Sequence, residues 1–131
     1  MLLNLSNHSR AKWDVKQREA AEREYGGVED LPFPQLNPGD SLDSIKGVVD
    51  EYVRKCVALF DQESSPKKKA VPTGRQAVHL MGEFTFTYQF LKEMERRGIP
   101  CVASTTERIV TDNPDGSKTT VFRFVRFRPY F

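Results

Sequence analysis

A chain of 131 residues, 38% hydrophobic and 29% charged, fits one compact domain that can bury about two-thirds of its unfolded surface. The net charge of +2 hides an asymmetry: residues 1–63 carry 8 basic and 12 acidic side chains and residues 64–131 carry 12 and 6, so the second half suits an anionic partner unless the halves interleave in space. No apolar stretch is long enough for a bilayer, no signal-peptide pattern opens the chain, and the two Cys and two His are too scattered for a zinc site, so a cytoplasmic protein with no membrane partner, metal or cofactor is expected.

Residues 1–6 carry Leu2, Leu3 and Leu5, the apolar run of a buried strand, followed by the polar turn Ser6, Asn7, His8 and Ser9. Residues 12–25 are rich in good helix formers, with Trp13, Ala20, Ala21 and Tyr25 as a loose stripe and Gly26 and Gly27 as the stop. A weak strand over 28–33 ends at Pro32 and Pro34. After a loop through Asn37, Pro38 and Gly39, Ser41 is placed to cap a long helix, with Ser44 as the second candidate. Its apolar positions Leu42, Ile45, Val48, Val49, Tyr52, Val53, Cys56, Val57 and Phe60 step by three and four, the strongest periodicity in the chain. Residues 61–75, which include Lys67, Lys68 and Lys69, read as an exposed mobile loop.

Residues 77–81 form the next clear strand, broken by Gly82. Residues 84–97 continue as a helix with Phe86, Phe90, Leu91 and Met94 on one side, Thr85 or Thr87 as cap, and Gly98 and Pro100 as terminator. Residues 99–103 read as another buried strand, which the polar Ser104, Thr105, Thr106, Glu107 and Arg108 break. A strand resumes at 109–111, turns through Asn113, Pro114 and Gly116, and returns over 118–128 as a β-hairpin. Cys56 and Cys101 both fall in apolar patterns and read as buried free thiols. Strand–helix alternation of this kind predicts an α/β fold: a single Rossmann-like three-layer sandwich over residues 1–131, with a mainly parallel central sheet and a C-terminal β-hairpin.

Ligands of open α/β sheets bind outside the carboxyl ends of the strands. Three polar clusters fall at such predicted ends: Ser6, Asn7 and His8; Gly82, Glu83, Thr85 and Thr87; and Ser104, Thr105, Thr106 and Arg108. Each alone is equally a plain polar turn. Together they supply an imidazole, a carboxylate and a guanidinium. Gly82 would allow a close approach, and the free amides of the following helix start favour phosphate. Neither a Walker loop nor a Gly-x-Gly-x-x-Gly pattern occurs, which disfavours conventional triphosphatases and dinucleotide dehydrogenases. His8 is a candidate proton carrier, Glu83 a candidate base or hydroxyl ligand, and Arg108 a candidate phosphate clamp. His79, inside a strand, reads as a packed and hydrogen-bonded side chain rather than a catalyst. Phe122, Arg123, Phe124, Val125, Arg126, Phe127 and Arg128 interleave aromatics with cations; strict alternation would put Phe122, Phe124 and Arg126 on one face and Arg123, Val125 and Phe127 on the other.

Leu2-Leu3-Asn4-Leu5-Ser6-Asn7-His8, Val78-His79-Leu80-Met81-Gly82-Glu83-Phe84-Thr85 and Ala103-Ser104-Thr105-Thr106-Glu107-Arg108, with Phe124-Val125-Arg126-Phe127-Arg128 at the end, resemble stretches of small stand-alone CRISPR-associated Rossmann-fold (CARF) proteins. The resemblance runs over most of the chain. It implies a homodimer that binds a cyclic oligoadenylate messenger of type III CRISPR defence across its two-fold axis. It further implies a ring nuclease: a metal-independent phosphodiesterase in which a ribose 2′-hydroxyl attacks the adjacent phosphate and leaves a 2′,3′-cyclic phosphate. His8, Glu83 and Arg108 would then serve the chemistry. Ser6, Asn7, Gly82, Thr85, Thr87, Ser104, Thr105 and Thr106 would hold the ligand. The competing expectations are a non-catalytic binder of the same ring and a module for single-stranded nucleic acid built on the Phe/Arg run.

Overall fold

The computed structural model describes residues 1–64 and 74–131. In chain order it contains β1 (Leu2–Ser6), a one-turn 3-10 segment (Arg10–Lys12), α1 (Val15–Tyr25), β2 (Val28–Asp30), α2 (Leu42–Glu63), β3 (Ala77–Met81), α3 (Phe84–Arg96), β4 (Cys101–Asp112) and β5 (Lys118–Pro129). The strands form one sheet in the order β2-β1-β3-β4-β5, parallel from β2 to β4, with β5 antiparallel on β4. This is the α/β, Rossmann-like sandwich that the alternation of elements predicts. None of the described helices is long and apolar enough to cross a membrane.

Side chains alternate across a strand, so each face of the sheet has its own core. Leu3, Leu5, Val78 and Leu80 point to the face covered by α2 and α3 and meet Val49, Val53, Phe60, Phe86, Phe90 and Met94. Leu2, Ala77 and Val102 point to the opposite face, under Ala20, Ala21 and Tyr25 of α1 with Trp13, Phe124 and Phe127. Cys56 and Cys101 are buried free thiols, and burial pushes each up to about 12.

Helix starts follow from local capping. Ser41 accepts the Ser44 amide at 3.2 Å, as its position predicts. The first long helix starts later than composition suggests, because Asp14 caps it: Oδ1 accepts from the Gln17 amide at 2.8 Å, leaving residues 10–12 to the 3-10 turn. Residues 61–63, expected in a loop, form the last turn of α2. The rest of that expectation, with Lys67, Lys68 and Lys69, falls on residues 65–73, which lie outside the described residues.

Two expectations for the C-terminal half are corrected. Ser104 through Arg108 do not break the strand, since β4 runs without interruption from Cys101 to Asp112. Antiparallel pairing with β5 supplies the ladder that a polar, half-solvated strand needs. Strict alternation in β5 also fails. Thr105 pairs with Arg126 and Thr106 with Phe124, so Val125 is an extra, unpaired residue. This β-bulge shifts the phase by one, so Phe124 and Phe127, three apart, are both buried in the α1-side core. The Phe124 amide donates to Asp14 Oδ2 at 3.2 Å, which ties the bulge to the start of α1.

Candidate functional site

A hydrogen-bonded row of side chains crosses the α1 face of the sheet. Register places Asp30 of β2, Asn4 of β1 and His79 of β3 side by side. Asn4 Nδ2 donates to Asp30 Oδ1 at 2.8 Å and to the His8 carbonyl at 2.8 Å. A carboxylate and a carbonyl only accept, so the amide orientation is fixed, with Oδ1 turned toward β3. Asn4 Oδ1 lies 2.9 Å from His79 Nδ1 and accepts from Ser6 Oγ at 2.7 Å. His79 therefore carries its proton on Nδ1 and leaves Nε2 bare. Ser104 Oγ of β4 lies 3.1 Å from that nitrogen, with Met81 Sδ 3.0 Å away as a weaker acceptor. Trp13 and Phe127 meet the imidazole edge-on, at 5.1 and 5.7 Å between centroids. Asn4 and His79 are each 2% exposed, and burial lowers His79 to about 4, so the ring is neutral near pH 7.

Two pockets lie above the carboxyl ends of the strands, one lined by the His79 and Ser104 end of the row and one by the Asp30 and Asn4 end. One, of about 510 Å³, is lined by Ser6, Asn7, His8, Lys12, Trp13, Gln17, His79, Met81, Gly82, Ser104, Thr106 and Phe122. The other, of about 590 Å³, lies over β1 and β2 between Asn4, Asp30 and the loop from Leu31 to Leu36, and shares Ser6 and Asn7 with the first. Five of the expected ligand residues, Ser6, Asn7, Gly82, Ser104 and Thr106, thus gather with His8 on a single pocket.

The remaining candidates are placed elsewhere. Glu83 is the cap of α3: its carboxylate accepts the Thr85 amide at 2.9 Å and the Phe86 amide at 2.7 Å. Those bonds hold its carboxyl below the usual carboxylate range. The helix start that the sequence offers to phosphate is filled by the chain's own anion, and neither Thr85 nor Thr87 is the cap. Thr87 Oγ1 is buried without a hydrogen-bond partner among the described residues and lines neither pocket. Gly82 does permit a close approach, by the Phe33 ring: a Cβ there would stand 2.3 Å from Phe33 Cε2. Thr105 points away from the site and donates to the Arg126 carbonyl at 3.2 Å. Arg108 lies beyond the pocket, exposed and paired in register with Phe122.

Residues 1–128 match the model of the Uncharacterized protein MJ1673 family. The chain belongs to that family. No curated protein and no solved structure matches it.

Sequence reasoning passed over Asn4, Asp30 and the site role of His79. A signal was present: Asn4 and His79 each interrupt an apolar run at a position whose neighbours two residues away point to the same face. A polar side chain there must find a partner once buried.

Proposed function

We propose that the chain binds a cyclic oligoadenylate in the 510 Å³ pocket and cleaves it without a metal, through attack of a ribose 2′-oxygen on the adjacent phosphorus. The observation that carries this reading is the gathering of Ser6, Asn7 and His8, of Gly82, and of Ser104 and Thr106 around one pocket. These come from the stretches on which the resemblance to CARF proteins rests. The pocket also has the position that ligands take in open α/β sheets.

Roles follow from placement. His8, exposed on the pocket wall, gives a proton to the departing 5′-oxygen. Lys12, on the same wall, offsets phosphate charge in the place first assigned to Arg108. The Asn7 amide and the Thr106 hydroxyl hold polar edges of the ligand. A pocket of about 510 Å³ suits one nucleotide-sized portion of a ring, so a homodimer in which two pockets face one another belongs to the reading. Cleavage would end type III CRISPR signalling in the cytoplasm.

The test is incubation of purified protein with cyclic tetra-adenylate or hexa-adenylate in the presence of a chelator, followed by chromatography and calorimetry. Shortened products ending in 2′,3′-cyclic phosphate are expected, with His8→Ala slower on the order of 10²-fold. Intact rings together with no heat of binding overturn the reading; binding without cleavage reduces it to a sensor or sponge. A second reading has an observation of its own. Arg123, Arg126 and Arg128 are exposed and in phase along one face of β5, with exposed Phe122 on the other, charge and stacking groups available to single-stranded nucleic acid. Salt-steep RNA affinity lost on joint replacement of the three arginines would favour it.

A further inference from the structure

We infer that Ser104 and His79 form a proton relay aligned by Asn4 and Asp30, and that Ser104 is a base-activated hydroxyl lining the pocket. Bond directions in the row follow from one end as far as the Ser104 hydroxyl, for which Met81 Sδ is the competing, weaker acceptor. The Asp30 carboxylate accepts from Asn4, which turns the Asn4 oxygen to His79 Nδ1; that leaves His79 Nε2 bare and opposite the Ser104 hydroxyl. A hydroxyl facing a neutral imidazole, whose other nitrogen is held by a third group, is the arrangement that activates a nucleophilic or proton-transferring oxygen. The Asp30 charge, one side chain removed, polarises the Asn4 amide and offsets an imidazolium forming on His79.

Packing argues that the row is more than a way of filling space. The equivalent strand positions on the opposite face carry Leu3, Leu5, Val78 and Leu80. The α1 face instead buries an amide and an imidazole, which is costly unless each is bonded, and here both nitrogens of the ring are used. Trp13 and Phe127 hold the ring plane, so Nε2 is aimed at Ser104 before any ligand arrives. Ser104 is half-buried, as Asp30 is at the other end of the row, and it lines the 510 Å³ pocket beside His79. Burial keeps the resting imidazole neutral and disfavours the imidazolium, so a proton taken from Ser104 is held only in passing.

In the ring reaction proposed above, on which this choice of substrate rests, the 2′-hydroxyl passes its proton to Ser104 Oγ as Ser104 passes its own to His79 Nε2. The bond from the 2′-oxygen to phosphorus forms, the bond to the 5′-oxygen breaks, and the 5′-oxygen takes the His8 proton. His79 then returns its proton to water through Ser104, and solvent reprotonates His8.

Activation of Ser104 is testable without the ring. With a fluorophosphonate probe, the Ser104 oxygen would bond to phosphorus, fluoride would leave, and the serine proton would pass to His79. Peptide mass spectrometry should find the adduct on Ser104 in the wild-type chain, none on that peptide in Ser104→Ala, and labelling slowed on the order of 10²-fold in His79→Gln. No adduct on wild-type Ser104, or equal labelling in folded His79→Gln, overturns the relay. In the ring assay, Ser104→Ala should lower kcat on the order of 10²-fold, well beyond any change in KM. Undiminished kcat overturns the relay with the ring reading intact. Failure of the wild-type chain to bind any ring overturns the ring reading alone, and the labelling result then decides the relay. Ser104 is half-exposed, so Ser104→Ala keeps the test decisive should His79→Gln fail to fold.

Discussion

The two faces of one sheet are built by alternate residues of the same strands, and they do different work. Toward α2 and α3, β1 and β3 present Leu3, Leu5, Val78 and Leu80 to a dry core in which Phe86 and Phe90 stack at 5.6 Å. Toward α1 and β5 the same strands present Leu2 and Ala77 at one end, then Asn4, His79 and Ser6. The difference teaches that stability and chemistry are separated by side of the sheet rather than by segment of chain. Apolar burial on the first face stabilises the strands, and the second face can then hold buried polar groups whose net contribution is small.

Substitutions can break or sharpen that contrast. The largest effect is expected from Phe90→Ala, which empties a fully buried site on the dry face and should cost about 3–5 kcal/mol in urea unfolding while leaving the Asn4–His79 geometry intact. A cost below 1 kcal/mol would show that the dry face does not dominate stability.

The next is a pH effect confined to the polar face. His79 is held neutral at about 4 against an ordinary 6.5, so the unfolded chain binds a proton that the folded chain refuses. Stability present above pH 6.5 should fall as pH drops toward about 4, by about 3 kcal/mol in all. His79→Gln should flatten that slope, and a slope unchanged in the variant would refute the assignment.

Asn4→Leu fills the same space but strands the His79 Nδ1 proton. A loss of about 1–3 kcal/mol is expected, together with a changed imidazole tautomer by nitrogen NMR. The same replacement direction on the dry face, Leu5→Asn, should cost more. Glu83→Ala removes an exposed cap at the edge of the apolar core and should cost about 1 kcal/mol by thermal unfolding. If its sole effect is to free the α3 amides, phosphate should stabilise the variant and not the wild type.

Elements with strong local signals were legible in the sequence. The three-and-four spacing through Ile45, Val49, Val53, Cys56 and Phe60 marks the buried stripe of α2, and all five are buried. Trp13, Ala20, Ala21 and Tyr25 likewise form one buried group. What was not legible depends on partners distant in the chain. Ser104 to Thr106 look like a break because their polar side chains say nothing of the β5 ladder that pairs with them. Glu83 looks like a ligand residue until its carboxylate is seen to bond the two amides after it. His79 was rightly expected to be packed and hydrogen-bonded. That one of its partners is Ser104, facing a pocket, follows only from the β3–β4 neighbourhood.

The unpaired Val125 has a consequence for the wall of that pocket. Outward of the bulge, Phe122 and Phe124 share a face; inward of it, that face continues through Phe127. Were Val125 paired with Thr106 instead, Phe124 would stand opposite Glu107 and Arg123 opposite Arg108, and the rings beyond the bulge would turn to the other face. Deletion of Val125 would leave Thr106 opposite Phe124 and Arg108 opposite Phe122, so the wall would stay aromatic while the local twist relaxed. The extra residue is thus what lets an alternating run of rings and cations keep its rings on the pocket side along the whole strand.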